Sequence, residues 1–179
     1  MPVSNANKNF IGILGGSFDP PHAGHLKISL ETIKKLKLKK FLWIITKKSP
    51  FKSKSYFSLK ERIHKCKYIT KKNKKIEVKY FEDQINSKRT INVLNYVRKS
   101  GYKKIFLVLG ADSLIKFHKW TKWKEILKIC VLVVFSRKGF DKKAKSSIAF
   151  NFISKKRLIY MKDSKINISS SKLRKIYLK

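Results

Sequence analysis

Acidic side chains are scarce in this chain: 10 Asp and Glu stand against 45 Lys and Arg over 179 residues, a formal net charge of +35. Such an imbalance points first to polyanions, nucleic acid or an anionic membrane. The basic residues are mostly lysines spread through the whole sequence, with no basic arm or single block, so they read as a solvated surface that attracts anions by steering. Cysteine is almost missing. Cys66 and Cys130 are too few for a disulfide framework, and neither lies in a closely spaced Cys/His cluster that would hold zinc. No apolar run approaches the roughly 20 residues of a spanning helix. The stretch 1–9 is polar without an apolar segment of the signal type, so a cytoplasmic protein is expected. The length demands no second domain, which leaves a polar tail, 1–9, and one domain, 10–179.

What is present is alternation. Short apolar, β-branched runs recur at 10–14, 41–45, 76–80, 105–109, 129–135 and 158–161, most of them suited to burial on both faces. Between them, Leu26, Leu30 and Ile33 share one helical face, Leu59, Ile63 and Ile69 suggest a second helix, and 90–99 forms a third. The region 141–156 has weak periodicity and reads as a loop with a poorly defined helix. Strand and helix in alternation predict an α/β fold, a doubly wound parallel sheet whose ligand lies at the carboxyl ends of the strands.

Directly after the first apolar run comes Gly15-Gly16-Ser17-Phe18-Asp19-Pro20-Pro21-His22-Ala23-Gly24-His25-Leu26. Glycines at a strand end let the backbone approach an anion closely, and the helix start that follows supplies free N–H groups and a positive dipole. His22 and His25, three positions apart, can project from the same side and offer two ring donors to one phosphate. Near the other end, Asn167-Ile168-Ser169-Ser170-Ser171-Lys172-Leu173-Arg174 reads as a serine-capped helix start and a second anion site, with Arg174 four residues beyond Ser170. Between them, Gly110-Ala111-Asp112-Ser113 is a glycine-led turn whose carboxylate suits ribose hydroxyls.

The first segment resembles the (H/T)xGH signature of the nucleotidyltransferase superfamily, in the form seen in nicotinate and nicotinamide mononucleotide adenylyltransferases. Ile168 to Arg174 resembles the superfamily's ISSTxIR motif, and Gly110 to Trp120 resembles the GxDSLxxFxxW segment of bacterial nicotinate mononucleotide adenylyltransferases. The similarity spans roughly residues 10–175. It implies transfer of AMP from ATP to nicotinate mononucleotide, with Mg2+ bound alongside ATP and no obligate nucleic acid or membrane partner. The acceptor's phosphate oxygen would attack the α-phosphorus in line, without an enzyme nucleophile, so positioning and charge stabilisation would do the catalysis.

On this resemblance His22 and His25 serve the α- and β-phosphates, together with Gly24 of the same motif. Gly15, Gly16 and the backbone of Ser17 and Phe18 line the phosphate path, while Ile168, Ser169, Ser170 and Arg174 hold the triphosphate tail. Gly110 and Asp112 meet the adenosine ribose. Trp120 stacks on the nicotinate ring, Thr90 helps read its carboxylate, and Lys52 contacts the acceptor phosphate. Trp123 is expected in the core, and Asp19 as a stabiliser of its turn. Arg89 replaces the family's usual tyrosine, and Lys47 and Lys48 also depart from its pattern. Pantetheine-phosphate adenylyltransferase is the alternative within the superfamily, although it has Thr in place of His22 and lacks the Trp120 segment. Nicotinamide mononucleotide is an alternative acceptor, and a basic nucleic-acid-binding protein is the reading from another class.

Overall fold

The computed structural model describes residues 9–47, 55–162, 170, 173 and 174. Lys48, Lys52, Ile168 and Ser169 lie outside the described residues. Six strands, β1 (Phe10–Gly16), β2 (Lys40–Ile45), β3 (Ile76–Lys79), β4 (Lys104–Gly110), β5 (Cys130–Phe135) and β6 (Leu158–Met161), form one sheet in the order β3-β2-β1-β4-β5-β6. All five pairings are parallel. Each expected strand is present, and the doubly wound class with it. Because the chain reverses direction across the sheet between β1 and β4, a crevice opens where the carboxyl ends of these two strands diverge.

The sheet is buried on both faces, and alternation along each strand divides the core into two layers. Leu42 and Ile44 of β2 belong to one cluster, with Ile13, Leu107 and Leu132, while Phe41, Trp43 and Ile45 belong to the other, with Leu14, Val108 and Val133. All six residues of β5 are buried, as a central parallel strand requires. Gly12 is needed for packing: a Cβ there would come within 2.3 Å of the Phe41 ring.

Helices α1 (Ala23–Lys35), α2 (Leu59–Thr70) and α3 (Thr90–Lys99) lie where helical spacing places them, but the innermost rows of the first two differ from the apolar rows in the sequence. In α1 the buried side chains include Ser29, Thr32 and Ile33, whereas Leu30 is exposed. The two hydroxyls are satisfied by carbonyls of their own helix, Ser29 Oγ on His25 O at 2.8 Å and Thr32 Oγ1 on Ile28 O at 2.7 Å. In α2 the innermost row is Arg62, Cys66 and Thr70, flanked by the half-buried Leu59, Ile63 and Ile69. Ser58 and Glu61 start α2 with a reciprocal capping box.

Two regions correct the sequence reading. The Gly110-led turn is the start of a short helix, α4 (Ala111–Lys116), followed by a 3-10 turn and α5 (Trp123–Ile129). The region 141–156, expected as a loop with a poorly defined helix, contains α6 (Asp141–Lys145), α7 (Ile148–Phe152) and a 3-10 turn (Lys155–Arg157). Each helix is too short to display a period, and each is anchored by a fully buried alanine, Ala144 or Ala149. Ser147 caps α7 by accepting from the Phe150 N–H. No helix of the described residues is long and apolar enough to cross a membrane.

Candidate active site

A cavity of about 1030 Å³ opens at the β1/β4 crevice. It is lined by Gly15, Gly16, Ser17 and Phe18 from the end of β1, His22, Gly24 and His25 from the start of α1, and Gly110 and Asp112 from the end of β4. Thr90, Trp120 and Ser170 complete the sequence-predicted set that faces it.

His22 is the N-cap of α1 and His25 its third residue. Their rings stack with centroids 3.8 Å apart. The His22 backbone N–H donates to His25 Nδ1 at 3.2 Å, which leaves the proton of a neutral His25 ring on Nε2. Burial, then the Arg137 charge, lowers the pKa of His22 to about 4. Burial also holds His25 well below the ordinary histidine range, helped by His22 and Arg137. At neutral pH the pair therefore offers N–H donors without carrying charge. His22 Nδ1 is buried without a hydrogen-bond partner among the described residues. Behind the pair, Phe18 lies 4.9 Å from His25 and stacks on Trp43 at 4.9 Å and 15°. Trp43 in turn donates to Ser29 Oγ at 2.8 Å.

The turn between β1 and α1 is tied from several sides. Asp19 is 1% exposed and accepts from the backbone N–H groups of Tyr56 and Phe57, both at 2.9 Å, so it fastens the turn to the chain ahead of α2. Ser170 Oγ donates to Pro20 O at 2.9 Å, and Arg174 Nη1 donates to Asp19 O and lies 4.0 Å from its carboxylate. The front and tail motifs thus converge on one turn. Ser170 reaches the cavity, whereas Arg174 grips the turn itself.

At the opposite side Gly110 caps α4, and a Cβ there would come within 2.5 Å of Asp112 Oδ1, so glycine leaves room for that carboxylate. Asp112 is held by an ion pair with Arg137 Nη1, each side chain about one-third exposed. The ribose-binding carboxylate expected from sequence thus has a cationic partner that sequence reasoning missed. Its signal was positional: Arg137 is the first cation after β5, at the carboxyl end of a strand next to the crevice. Thr90 is the first residue of α3, and its N-cap Arg89 makes no side-chain cap bond, so backbone donors of that helix start remain available to an anion. Trp120 leans on Phe117 at 5.1 Å and lines the cavity, whereas Trp123, expected in the core, is half-buried at its edge between Phe117 and the exposed Phe152. Glu82 also lines the cavity; burial raises its pKa, and its Oε1 lacks a partner among the described residues.

The cytidylyltransferase-like family model matches residues 13–176. A probable nicotinate-nucleotide adenylyltransferase of Pelagibacter ubique is 49% identical, over 98% of this chain and 98% of its own. Another, of Aquifex aeolicus, is 30% identical over 89% of this chain and 98% of its own. Among solved structures, Plasmodium falciparum nicotinic acid mononucleotide adenylyltransferase complexed with NaAD aligns with a TM-score of 0.75 at 19% identity, over 93% of this chain and 83% of that one. That likeness shows the shared fold, and the sequence relatives narrow it: the chain belongs to the cytidylyltransferase-like family, among its nicotinate-nucleotide adenylyltransferases.

Proposed function

We propose that the chain transfers AMP from ATP to nicotinate mononucleotide, giving nicotinate adenine dinucleotide and pyrophosphate in the cytoplasm. A phosphate oxygen of the acceptor forms the new bond to the α-phosphorus, the bond from that phosphorus to the bridging oxygen breaks, and pyrophosphate leaves with the electron pair. One observation carries the reading: the stacked, neutral His22 and His25 face, within a single cavity, the start of α3 and Trp120. Two uncharged N–H donors beside the glycine end of β1 fit phosphoryl oxygens that gain charge during transfer. A helix N-terminus beside an indole fits a flat ring bearing a carboxylate.

In this assignment Gly15, Gly16, Ser17, Phe18 and Gly24 line the phosphate path, and Gly110 and Asp112 meet the ribose. Ser170 and Arg174 fasten the edge of the path, Ile168 and Ser169 belong to the same motif, and Lys52 serves the acceptor phosphate. Arg137, beside both histidines, supplies positive charge that moves between Asp112 and the nucleotide. Among the described residues no three His, Cys, Asp or Glu side chains are grouped to hold a metal ion. Mg2+ fits this site as an ion carried by the phosphate oxygens of ATP and water, a mode it favours, where it would neutralise phosphate charge.

The deciding experiment offers ATP with nicotinate mononucleotide, nicotinamide mononucleotide and phosphopantetheine in parallel and follows pyrophosphate release. The highest kcat/KM is expected with nicotinate mononucleotide. Equal or faster turnover of either other acceptor would reassign the substrate, and no release with any of the three would reject the transfer reading.

A further inference from the structure

Among the described residues, Arg62 is the one buried cation, 1% exposed on the inner row of α2. It makes no ion pair with a carboxylate among the described residues; its guanidinium is satisfied by backbone carbonyls. Nη1 donates to Ser17 O and Thr46 O, each at 2.7 Å, Nη2 to Lys47 O at 2.8 Å, and Nε to Phe57 O at 3.1 Å. One side chain therefore joins the turn after β1, the end of β2 and the entry to α2. Burying a cation without a carboxylate against it is costly, and a planar fork satisfied at each edge is an arrangement that lysine cannot reproduce.

The bond to Ser17 O bears directly on the cavity. In a trans peptide the C=O and the following N–H point in opposite directions, so a Ser17 carbonyl drawn toward Arg62 turns the Phe18 N–H away from it. Ser17 and Phe18 both line the cavity, and no backbone acceptor among the described residues takes the Phe18 N–H. Phe18 also has a φ of 46°, in the left-handed region that a bulky residue adopts only when its surroundings impose it. Arg62 from below and the Trp43 stack on the Phe18 ring are the constraints that impose it here.

We propose that Arg62 is a positioning residue of the transfer site: by holding the Ser17 carbonyl down, it keeps the Phe18 N–H presented to a phosphate of ATP. The proposal rests on the reading that this cavity takes ATP. Without the guanidinium, relaxation of Phe18 would rotate the peptide and turn the Ser17 oxygen toward the phosphates, replacing a donor with a repelling acceptor.

The test compares Arg62→Lys, which keeps the charge, with Ile76→Ala, a core truncation at the amino end of β3, remote from the cavity. Apo thermal unfolding and steady-state kinetics are measured on both. Arg62→Lys is expected to raise the KM for ATP at least about tenfold and to lower kcat, whereas Ile76→Ala loses thermal stability with a KM for ATP within about twofold of wild type. A second measurement uses the wild-type chain and so does not depend on the variant folding: in 15N-labelled protein the Phe18 amide should shift on titration with ATP. A wild-type KM for ATP in Arg62→Lys, or a Phe18 amide unmoved at saturating ATP, would overturn the proposal. Failure of the wild-type chain to release pyrophosphate would reject the transfer reading instead, and the amide titration would still decide whether the Phe18 N–H is presented to ATP.

Discussion

The two walls of the cavity are built in opposite ways. The β1 wall is over-determined: Asp19, Arg62, Ser170 and Arg174 tie its turn to other segments, and Phe18, Trp43 and His25 pack behind it. The β4 wall has, among the described residues, one ion pair about one-third exposed, Asp112 with Arg137, on a glycine-led helix start. On the proposed assignment, rigid backbone donors face the phosphates, where the charge changes during transfer, and adjustable side chains face the part of the nucleotide that only has to be recognised. Preorganised groups contribute most where the transition state differs from the ground state.

The largest test of this contrast removes a donor from the rigid wall. His25→Ala should lower kcat by about 10²–10³-fold, the usual loss for one preorganised donor, in a pyrophosphate-release assay. A loss under about fivefold would mean that the rigid wall is only a scaffold. Next, Asp19→Ala should destabilise the apo protein by about 2 kcal/mol in urea unfolding, because the Tyr56 and Phe57 N–H groups lose a buried acceptor. On the adjustable wall, Arg137→Gln should change apo stability by less than about 1 kcal/mol, since the pair is partly exposed. The same substitution should raise the KM for ATP about tenfold, which corresponds to roughly 1.4 kcal/mol.

The last test is one of pH. His22 is shifted down from 6.5 to about 4, so below pH 6.5 the unfolded chain takes up a proton that the folded chain refuses. Its contribution to stability is complete above 6.5 and declines as the pH falls toward about 4. Thermal unfolding across that window should therefore be less pH-dependent in His22→Gln than in the wild type. An identical pH dependence in the two proteins would remove the buried, neutral histidine from the account.

The sheet was legible in the sequence because strands buried on both faces must be apolar runs, and 41–45 and 129–135 stand out among lysines. The turn after β1 was legible as part of a site because Gly15, Gly16, His22 and His25 together mark what none marks alone, and all four line the cavity. The short helices α6 and α7 were not, because five residues hold little more than one turn and a single buried alanine leaves no stripe. Arg62 was hidden for a different reason. In a chain with 45 lysines and arginines, one cation that turns inward has the same local sequence as those that turn outward, and only the carbonyls around it reveal the difference. Arg137 could have been found by asking which charges follow each strand at its carboxyl end.

The two cysteines have a practical consequence. Burial pushes the thiols of both Cys66 and Cys130 up to about 12, so at neutral pH almost none of either is thiolate, the form that reacts with alkylating reagents. The native chain is therefore a silent background: a cysteine introduced on its exposed surface would take a maleimide dye or spin label alone, without first deleting the natural pair.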